Sequence, residues 1–472
     1  MRDRADRIAV LGAGPIGLAV AMLLAAAGRE VTVLEKDREV PPDSGDEAWQ
    51  AWQRTGVSQF RQLHYMQPRV RHLLDEHLPA VRGRVEALGG CWFNPLGAYL
   101  GASGDRSARE GDERFETITG RRAVLEAAFA QVAQEVPGVT ILRGVTAREL
   151  LLGPSARSGV PHVRGVRSAC GAEIEADLVV DAMGRRSRLT QWVVDAGGRP
   201  PYEEASDAGF AYYTRHYRAR DGHGVELGSP LRTDAATLRI FATPADNATW
   251  SVAIIAVAKD APFKALRRND VWERVARAVL RSPDWVDGEP LCDVLPMAGV
   301  LDRHCRIVVD GQAVITGLVP VGDAWACTNP SAARGFALGL AHAVTLRDAL
   351  RAHPEDPARL AESFDQMTEE HLTPWYRDQV NQDRRRAANL LALAEGRLPA
   401  EPGGDPVLML MRAARTDPDA ARGFLDVYSC LALLAQVLQR PAIQAKLTAL
   451  GADPDADPPP GPTREQLIAL TQ

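Results

Sequence analysis

The stretch "LGAGPIGLAVAMLLAAAG" (Leu11–Gly28) follows a charged start and consists almost entirely of glycine and apolar residues. Such a run occurs both in secretory signal peptides and in the phosphate-binding turn of nucleotide-binding folds. A signal peptide needs an unbroken apolar helix, and four helix-breaking residues stand in the first half of this run. They are Gly12, Gly14, Pro15 and Gly17. The sequence therefore favours the nucleotide-binding turn.

The flanking residues complete a strand–helix–strand unit. Apolar patterns predict strands at 8–11 and 31–34, with a helix over about 15–27 between them. The turn then reads G-x-G-x-x-G between a strand and a helix. Glu35 follows the second strand, at the distance where dinucleotide-binding folds place an acid. The sequence predicts a dinucleotide site at the carboxyl end of the first strand.

Each residue of this motif has a separate expected task. Gly12 makes the tight turn, Gly14 allows the backbone to approach a pyrophosphate, and Gly17 allows the helix to pack closely on the strand. The helix N-terminus faces the anion, and Glu35 accepts a hydrogen bond from a ribose hydroxyl. Further residues expected at the same ligand are Pro15, Ile16 and Lys36.

Composition narrows the classes of function. The chain has 472 residues, enough for two or three domains, and carries 61 acidic against 55 basic side chains, a net charge of −6. This balance argues against a nucleic-acid partner. The six cysteines are scattered and form no cluster with histidine, so no metal site is expected. No other segment has the pattern of a membrane span, and we expect a cytoplasmic protein.

Two later segments each end a predicted strand with an acid. The first, "LVVDAMGRRSR" (178–188), contains Asp181, and the second, "VPVGDAWACTNPSAARGF" (319–336), contains Asp323. An acid at the carboxyl end of a parallel strand faces the ligand crevice of an open sheet. A helix is expected to begin at Pro330, because proline suits the first turn. The residues expected at the cofactor are Asp181, Gly184, Gly322, Asp323, Asn329, Pro330 and Gly335.

Together with the N-terminal motif, these segments resemble the three signatures of flavoprotein monooxygenases that share the para-hydroxybenzoate hydroxylase fold. The resemblance covers residues 8–349 and implies FAD as the cofactor. It places Asp323 at the flavin ribitol, Asp181 near the pyrophosphate, and the helix of the third segment at the pyrimidine edge of the flavin. It further implies that Arg122 and Ala147 contact FAD.

The expected fold class is α/β (α+β), with a Rossmann-like FAD-binding domain, an inserted antiparallel-sheet substrate domain and a helical C-terminal region. The expected boundaries are 1–80, 115–190 and 300–355 for the FAD-binding domain, 81–114 and 191–299 for the substrate-binding sheet, and 356–472 for the C-terminal region. Alternating apolar strands between 200 and 300 support the inserted sheet. Their aromatic residues Tyr212, Phe241 and Trp250 are candidate substrate contacts, with core packing as the alternative for each.

A closer resemblance lies in "RTGVSQFRQLHYMQPRVRHLLDEHLPAVRGRVEALGG" (54–90) and "DAMGRRSRLTQWVVDAGG" (181–198). These segments are similar to polyether-type flavin epoxidases, such as those of lasalocid and monensin biosynthesis, and to related bacterial FAD-dependent oxidoreductases. The similarity implies epoxidation or hydroxylation of an apolar secondary metabolite by O2, through a flavin C4a-hydroperoxide. That chemistry requires no side-chain nucleophile. Arg61 and His64 are the candidates near the flavin, and a loop histidine bonded to backbone is the alternative for His64.

Two other enzyme classes and a non-catalytic role stay open. A flavin-dependent halogenase is disfavoured, because the chain has no lysine between residues 37 and 258 and lacks a Trp-x-Trp-x-Ile-Pro segment. A reductase or cyclase of the geranylgeranyl-reductase kind shares the Asp-Ala-x-Gly loop. A flavoprotein that only binds a ligand or senses redox state is the third alternative, and the sequence contains no regulatory domain to support it.

The segment 178–188 also indicates how the flavin receives its electrons. Ala182 stands where NADPH-dependent hydroxylases of this family have glycine, and no second G-x-G-x-x-G occurs. A side chain at this position would add bulk where a nicotinamide nucleotide approaches the backbone. We therefore expect a separate NAD(P)H–flavin reductase as a partner, besides the small apolar substrate and O2.

Overall fold

The computed structural model describes residues 6–103, 107–155, 157–220, 222, 231–280, 283–397, 405–451 and 461–472. Its strands are β1 (Arg7–Leu11), β2 (Glu30–Glu35), β3 (Cys91–Phe93), β4 (Thr117–Thr119), β5 (Val139–Arg143), β6 (Ala147–Gly153), β7 (His162–Ser168), β8 (Glu173–Glu175), β9 (Leu178–Asp181), β10 (Tyr202–Asp207), β11 (Phe210–Arg218), β12 (Arg232–Ala235), β13 (Leu238–Pro244), β14 (Thr249–Val257), β15 (Glu289–Pro290), β16 (Leu295–Ala298), β17 (Leu301–Arg306), β18 (Val308–Val309), β19 (Gln312–Ala313), β20 (Leu318–Pro320) and β21 (Ala326–Cys327).

The helices of the described chain follow the same order. They are α1 (Pro15–Ala26), α2 (Gly45–Gln50), α3 (Pro68–His77), α4 (Pro79–Ala87), α5 (Leu96–Ser103), α6 (Arg122–Glu135), α7 (Leu189–Asp195), α8 (Asn269–Val279), α9 (Gly335–Ala352), α10 (Pro357–His371), α11 (Thr373–Ala394), α12 (Pro406–Ala413), α13 (Pro418–Tyr428), α14 (Leu434–Leu438), α15 (Pro441–Gly451) and α16 (Arg464–Ala469).

A parallel sheet of order β20-β9-β1-β2-β5 forms the first domain and confirms the predicted strand–helix–strand unit. In the register, Leu11 at the end of β1 lies between Leu34 of β2 and Asp181 of β9. Pro320 of β20 pairs with Asp181 on the far side. Because all these strands are parallel, the residues that follow them meet at one edge of the sheet.

The predicted antiparallel sheet is also present, with the order β12-β13-β14-β11-β15 and β16 paired to β11. Alternate residues of a strand point to opposite faces, so each strand divides its side chains between two environments. One face buries Val252 and Ile254 of β14 against Trp272 of α8 and Leu467 of α16. The other face is turned toward the parallel-sheet domain and carries Tyr212. Together the two sheets and the helices confirm the predicted fold class.

The structure divides some segments differently from the expected boundaries. In the 81–114 segment, β3 pairs with β4 and α5 packs on α13, so its described residues add no strand to the antiparallel sheet. The C-terminal region also divides. Helices α12 to α15 pack together beside α5, whereas α16 returns to the outer face of the antiparallel sheet.

A buried ion pair joins the two domains. Arg121, directly before α6, donates from Nε to both carboxylate oxygens of Asp246 at 3.1 Å and from Nη2 to one of them at 2.5 Å. Asp246 lies between β13 and β14, and it also accepts a hydrogen bond from the Arg121 amide at 2.7 Å. Arg121 donates further to Asp46 at 2.9 Å. Neither Arg121 nor Asp246 has an exposed side chain, so the pair fixes the antiparallel sheet against α6.

Replacing Asp246 with alanine is expected to lower the free energy of unfolding by about 3–5 kcal/mol, because the Arg121 charge stays buried without its main partner. Urea unfolding of the purified variant measures this change. Asp270→Ala, which removes an exposed carboxylate paired with Arg268, is the control and should change stability by less than about 1 kcal/mol. A similar small change for both variants would contradict the role given to the buried pair.

Candidate active site

One continuous cavity of about 410 Å³ extends from the carboxyl edge of the parallel sheet to the inner face of the antiparallel sheet. The residues singled out from the sequence that line it are Gly12, Gly14, Pro15, Ile16, Gly17, Glu35, Lys36, His64, Arg122, Ala147, Gly184, Tyr212, Phe241, Asp323, Pro330 and Gly335. The residues singled out from the sequence that do not line it are Arg61, Asp181, Trp250, Gly322 and Asn329.

The three glycines of the first turn have different surroundings. Gly12 has a φ of +104°, and a Cβ there would lie 2.8 Å from the Ala182 carbonyl oxygen. A Cβ on Gly17 would lie 2.1 Å from the Gly12 carbonyl oxygen, so this contact admits no side chain. A Cβ on Gly14 would meet nothing within 4 Å. Only the Gly14 side of the turn is open, and there a ligand can approach the backbone.

Helix α1 begins at this open side. Pro15 is its first residue, and the first turn contains no acidic side chain. The amide of Leu18 makes the first hydrogen bond of the helix, to the Gly14 carbonyl oxygen at 3.0 Å. The amides before it have no acceptor within the helix and lie at its positive end. The turn can therefore bind a phosphate group through backbone donors.

Glu35 is held rigidly at the end of β2. One carboxylate oxygen accepts from the Ala13 amide at 2.9 Å, and the other accepts from the Asp37 amide at the same distance. Arg54 donates to Glu35 at 2.8 Å, and only 3% of Glu35 is exposed. An acid fixed beside the glycine turn is suited to accept a hydrogen bond from a ribose hydroxyl.

Arg54 is a residue of the cavity that the sequence analysis missed. It donates to Glu35 and, from Nε, to Asp37 at 3.2 Å, and it forms an ion pair with Glu126 at 3.2 Å. Burial lowers the pKa of Arg54, but Glu126, Glu35 and Asp37 together raise it above its ordinary value. Arg54 lies far along the chain from Glu35 and Asp37 and from Glu126, so no local pattern could have indicated the contact.

Arg122 lines the cavity on the other side of Glu126. Its Nε donates to Glu126 at 2.7 Å, and its guanidinium lies 5.9 Å from the ring of Phe336. Arg54 and Arg122 thus share one buried carboxylate. Because Arg54 also pairs with Glu35 and Asp37, Arg122 is the less fully neutralised of the two and is the one that can meet an anionic ligand in the cavity.

Asp323 follows β20 and faces the cavity without a partner. Its carboxylate accepts no hydrogen bond from any part of the chain that the structure describes. Burial raises the pKa of Asp323, and the charges of Arg122 and Arg185 oppose this rise. A Cβ on Gly335 would lie 3.7 Å from the carboxylate, so α9 begins beside it. Asp323 is therefore free to accept a hydrogen bond from a ligand hydroxyl.

Asp181 lies beside the glycine turn, as the register partner of Leu11, but it is not exposed to the cavity. Its carboxylate does not line the cavity but accepts hydrogen bonds from the Met183 amide at 3.0 Å and the Ser187 hydroxyl at 2.5 Å. Burial raises the pKa of Asp181 to about 6, against these two hydrogen bonds. Asp181 is a positioning residue, since it holds the loop whose members Met183 and Gly184 line the cavity.

The third segment also departs from expectation. Pro330 begins only a short turn of 3-10 helix, and the long helix α9 starts at Gly335 because Ala333 adopts a left-handed φ of +53°. Asn329 is buried behind the cavity. Its backbone amide donates to the Asp302 carboxylate at 2.7 Å, and its side-chain oxygen accepts from the Tyr212 hydroxyl. Gly322 is likewise buried, behind Asp323.

The two candidates in the 61–64 loop separate. Arg61 turns away from the cavity, donates to the Trp52 carbonyl oxygen at 2.9 Å and lies 4.7 Å from the ring of Trp49. His64 lines the cavity, packs edge-on against Phe336 and makes no hydrogen bond with the described residues. Burial and the charge of Arg122 lower the pKa of His64 well below its ordinary value. Because His64 makes no hydrogen bond to the backbone, the alternative of a backbone-bonded loop histidine is wrong.

The inner face of the antiparallel sheet closes the other end of the cavity. Tyr212, Phe241 and Ile255 line it from neighbouring strands. Trp250 is on the opposite face, where its Nε1 donates to the Trp285 carbonyl oxygen at 2.9 Å and its ring stacks on a tyrosine. The expectation that Trp250 contacts substrate is therefore corrected. Strand alternation separates it from Ile255, which lies an odd number of residues away.

A second missed contribution comes from the C-terminal helices. Tyr428, at the end of α13, lines the cavity beside Tyr65 and Phe241, with ring centroids 6.0 Å and 6.1 Å away. The hydroxyl of Tyr65 is buried and has no hydrogen-bond partner. The C-terminal region thus completes an aromatic wall at the sheet end of the cavity.

Throughout the described ranges, no group of three or more His, Cys, Asp or Glu side chains could hold a metal ion. In the same part of the chain, no helix has both the length and the apolar character needed to cross a bilayer.

Known proteins share this fold. Residues 10–77 match the family of NAD(P)-binding Rossmann-like domains. Protein Rv3254 of Mycobacterium tuberculosis is 27% identical over 462 residues, covering 93% of this chain and 92% of that protein. PqsL, a probable FAD-dependent monooxygenase from Pseudomonas aeruginosa, superimposes with a TM-score of 0.58 and 16% identity over 83% of this chain and 97% of its own. The flavin-dependent halogenase CmlS superimposes with a TM-score of 0.56 and 13% identity, over 99% of this chain and 77% of its own. At these identities the similarity is one of fold.

Replacing Gly14 with valine is expected to abolish dinucleotide binding without disturbing the fold. No protein atom lies within 4 Å of a Cβ at this position, so the branched side chain enters only the space where a pyrophosphate approaches. Fluorescence titration with FAD measures binding, and thermal unfolding checks the fold. Gly83→Val in α4 is the matched control, since that site is equally open but lies outside the cavity. Unchanged FAD affinity in Gly14→Val would contradict the position given to the pyrophosphate.

Proposed function

We propose that this protein is an FAD-dependent monooxygenase that transfers one oxygen atom of O2 to an apolar organic substrate. The observation that carries the proposal is the single cavity that joins the glycine turn and Asp323 to an aromatic wall. A cofactor and a substrate can meet there without passing through a separate channel. The fold shared with PqsL, whose name describes such an enzyme, supports the same conclusion.

The polar groups along the cavity fit FAD from one end to the other. Glu35 would bind the adenosine ribose beside Ala147, the first turn of α1 would bind the pyrophosphate, and Asp323 would bind the ribitol. Strands β2 and β20 are separated by β1 and β9, so the two acids follow strands about 14 Å apart. This span suits a dinucleotide, whereas FMN has no adenosine ribose to place at Glu35.

The chain's own residues supply binding, orientation and exclusion of water. When bound and reduced, FAD supplies the electrons and the oxygen-transfer chemistry with O2. Tyr212, Phe241 and Tyr428 form an apolar wall that excludes water from the reacting centre. The imidazole of His64 borders the same cavity and is the candidate side chain for handling a proton. Arg61 has no such role, because its guanidinium is bound to backbone away from the cavity.

The finer part of the proposal concerns the reaction and the substrate. The similarity of segments 54–90 and 181–198 to polyether-type epoxidases favours epoxidation, and hydroxylation uses the same site. The aromatic wall suits an extended apolar substrate of secondary metabolism.

A halogenase is the weaker alternative, although CmlS shares the fold. Lys36 is the single lysine that lines the described part of the cavity, and it stands beside Glu35 at the ribose end. No lysine is therefore available beside the aromatic wall, where the substrate would meet the flavin. A reductase or cyclase would leave O2 unused, so oxygen consumption separates that alternative from a monooxygenase.

A separate flavin reductase remains part of the proposal, but one of the two arguments for it is weaker than the sequence suggested. A Cβ at Gly17 would lie 3.2 Å from the Ala182 Cβ, so the Ala182 methyl packs toward α1. The steric argument drawn from Ala182 is thereby weakened. The support that remains is the single G-x-G-x-x-G motif of the sequence, which FAD would occupy.

Replacing Asp323 with alanine is expected to weaken FAD binding by about 1.5–3 kcal/mol, the range for a hydrogen bond to a charged group. Titration calorimetry with FAD and FMN measures the change, and FMN should bind more weakly than FAD to the unaltered protein. Asp348→Ala, an exposed carboxylate on α9, is the control and should bind FAD normally. Tight binding of FMN, or an unchanged Asp323→Ala, would contradict the assignment of the two acids.

Anaerobic stopped-flow mixing of the FAD-loaded protein with NADPH or NADH tests the electron supply. The flavin is expected to stay oxidised until a flavin reductase or dithionite is added. Bleaching by either nucleotide at a rate typical of turnover, on the order of 1–100 per second, would show that the protein needs no partner reductase.

A further inference from the structure

A second, small pocket of about 40 Å³ adjoins the substrate end of the cavity. Ser331 and Tyr428 line both spaces, so the pocket borders the aromatic wall. Four arginines from β12, β13, the turn before α9, and α11 line it, and we call it the arginine pocket. They are Arg232, Arg239, Arg334 and Arg386.

Two of these arginines lie on the sheet face that lines the cavity. Arg239 precedes Phe241 by two residues on β13, so both side chains point to the same face. Arg232 of β12 is the register partner of Phe241. The inner face therefore places two arginines directly beside its aromatic residues. Arginine is rarely buried unless it is paired, so this placement requires a reason.

The acids around the pocket only partly pair with the arginines on its sheet side. Arg232 and Arg239 share a single carboxylate, that of Asp234, at 2.7 Å and 2.6 Å. Burial and the charges of Arg232 and Arg386 lower the pKa of Arg239 to about 9. Burial is the largest of these causes, and the two neighbouring arginines add to it against the opposing charge of Asp234.

On the helical side of the pocket, the two arginines differ in how closely an acid approaches them. Arg334 binds Asp378 at 2.6 Å, but the nearest acid to Arg386 is Asp383 at 3.4 Å. Asp383 already accepts hydrogen bonds from Ser331 and Gln379. The remaining acid, Asp405, accepts from the Val407 amide at the start of α12 and lies on the pocket wall.

Several donors of the cluster are free. The two terminal nitrogens of Arg239 donate no hydrogen bond to the described residues. Nε of Arg334 is buried without a hydrogen-bond partner, and Nη2 of Arg386 has only its ion pair with Asp383 at 3.4 Å. A carboxylate or phosphate accepts hydrogen bonds from both terminal nitrogens of a guanidinium, so an anion in the pocket would satisfy the two that Arg239 leaves open.

We propose that the arginine pocket binds an anionic group, a carboxylate or a phosphate, that belongs to the organic substrate. This inference rests on the proposed function, because it assigns the substrate to the adjoining cavity. The substrate is then amphipathic. Its apolar body lies along Tyr212 and Phe241, and its anionic end lies between Arg239 and Arg386. This contact would fix the orientation of the substrate and the position that receives oxygen.

Calorimetric titration of the FAD-loaded protein with benzoate and naphthoate, and with the neutral amides benzamide and naphthamide, tests the pocket. Each acid is expected to bind at least about tenfold tighter than its amide. Arg239→Gln should remove this preference, and Asp234 stays paired with Arg232 in that variant. Arg215→Gln is the matched control, because Arg215 is an ion-paired arginine on the opposite face of the sheet, and it should keep the preference.

Equal affinity for acids and amides, or a preference that survives Arg239→Gln, would overturn the proposal. NADP⁺ is titrated in parallel to identify a nucleotide phosphate as the source of the anion. Binding of NADP⁺ that requires Arg239, with no preference for the acids, would also overturn it. Flavin absorbance of the same samples tests the proposed function separately. A protein that binds no FAD yet keeps the Arg239-dependent preference contradicts the function and supports the anionic pocket.

Discussion

The contact between Gly17 and the Gly12 carbonyl oxygen is the constraint on which the site depends. A Cβ at Gly17 would lie 2.1 Å from that oxygen, so any side chain would push α1 away from the turn. The close approach keeps the first turn of α1 at the carboxyl edge of the sheet. Parallel pairing then sets Glu35 on one side of this turn and Asp323 beyond it, and the cavity follows the line between them.

Local sequence patterns predicted the parts of the site that depend on local geometry. The glycine turn, Glu35 and the free carboxylate of Asp323 lie where the motifs indicated, because each follows a strand whose apolar pattern is plain. Arg54 could not be found this way, since its acidic partners Asp37 and Glu126 belong to different elements. Tyr428 is similar, because it reaches the wall only through the packing of the C-terminal helices.

The incorrect expectations have equally specific causes. Trp250 is a large aromatic residue of the kind that often contacts an apolar substrate. Strand alternation, however, turns it to the outer face of the sheet, against Trp285. The pairing of Tyr212 with Ile255 places Ile255 on the inner face, and alternation along β14 then places Trp250 on the outer face. Proline at 330 suggested a helix start, whereas the left-handed φ of Ala333 delays α9 to Gly335. The residue type alone does not indicate that this one alanine adopts a left-handed backbone conformation.

A crystal structure of the protein soaked with FAD tests the central claim, that one cavity holds a dinucleotide and presents its flavin ring to an aromatic wall. The account predicts a ribose hydroxyl on Glu35, a ribitol hydroxyl on Asp323 and the flavin ring within van der Waals distance of Tyr212 or Phe241. Density for FAD with its ring outside the cavity, or with Asp323 still lacking a hydrogen-bond partner, would contradict the account.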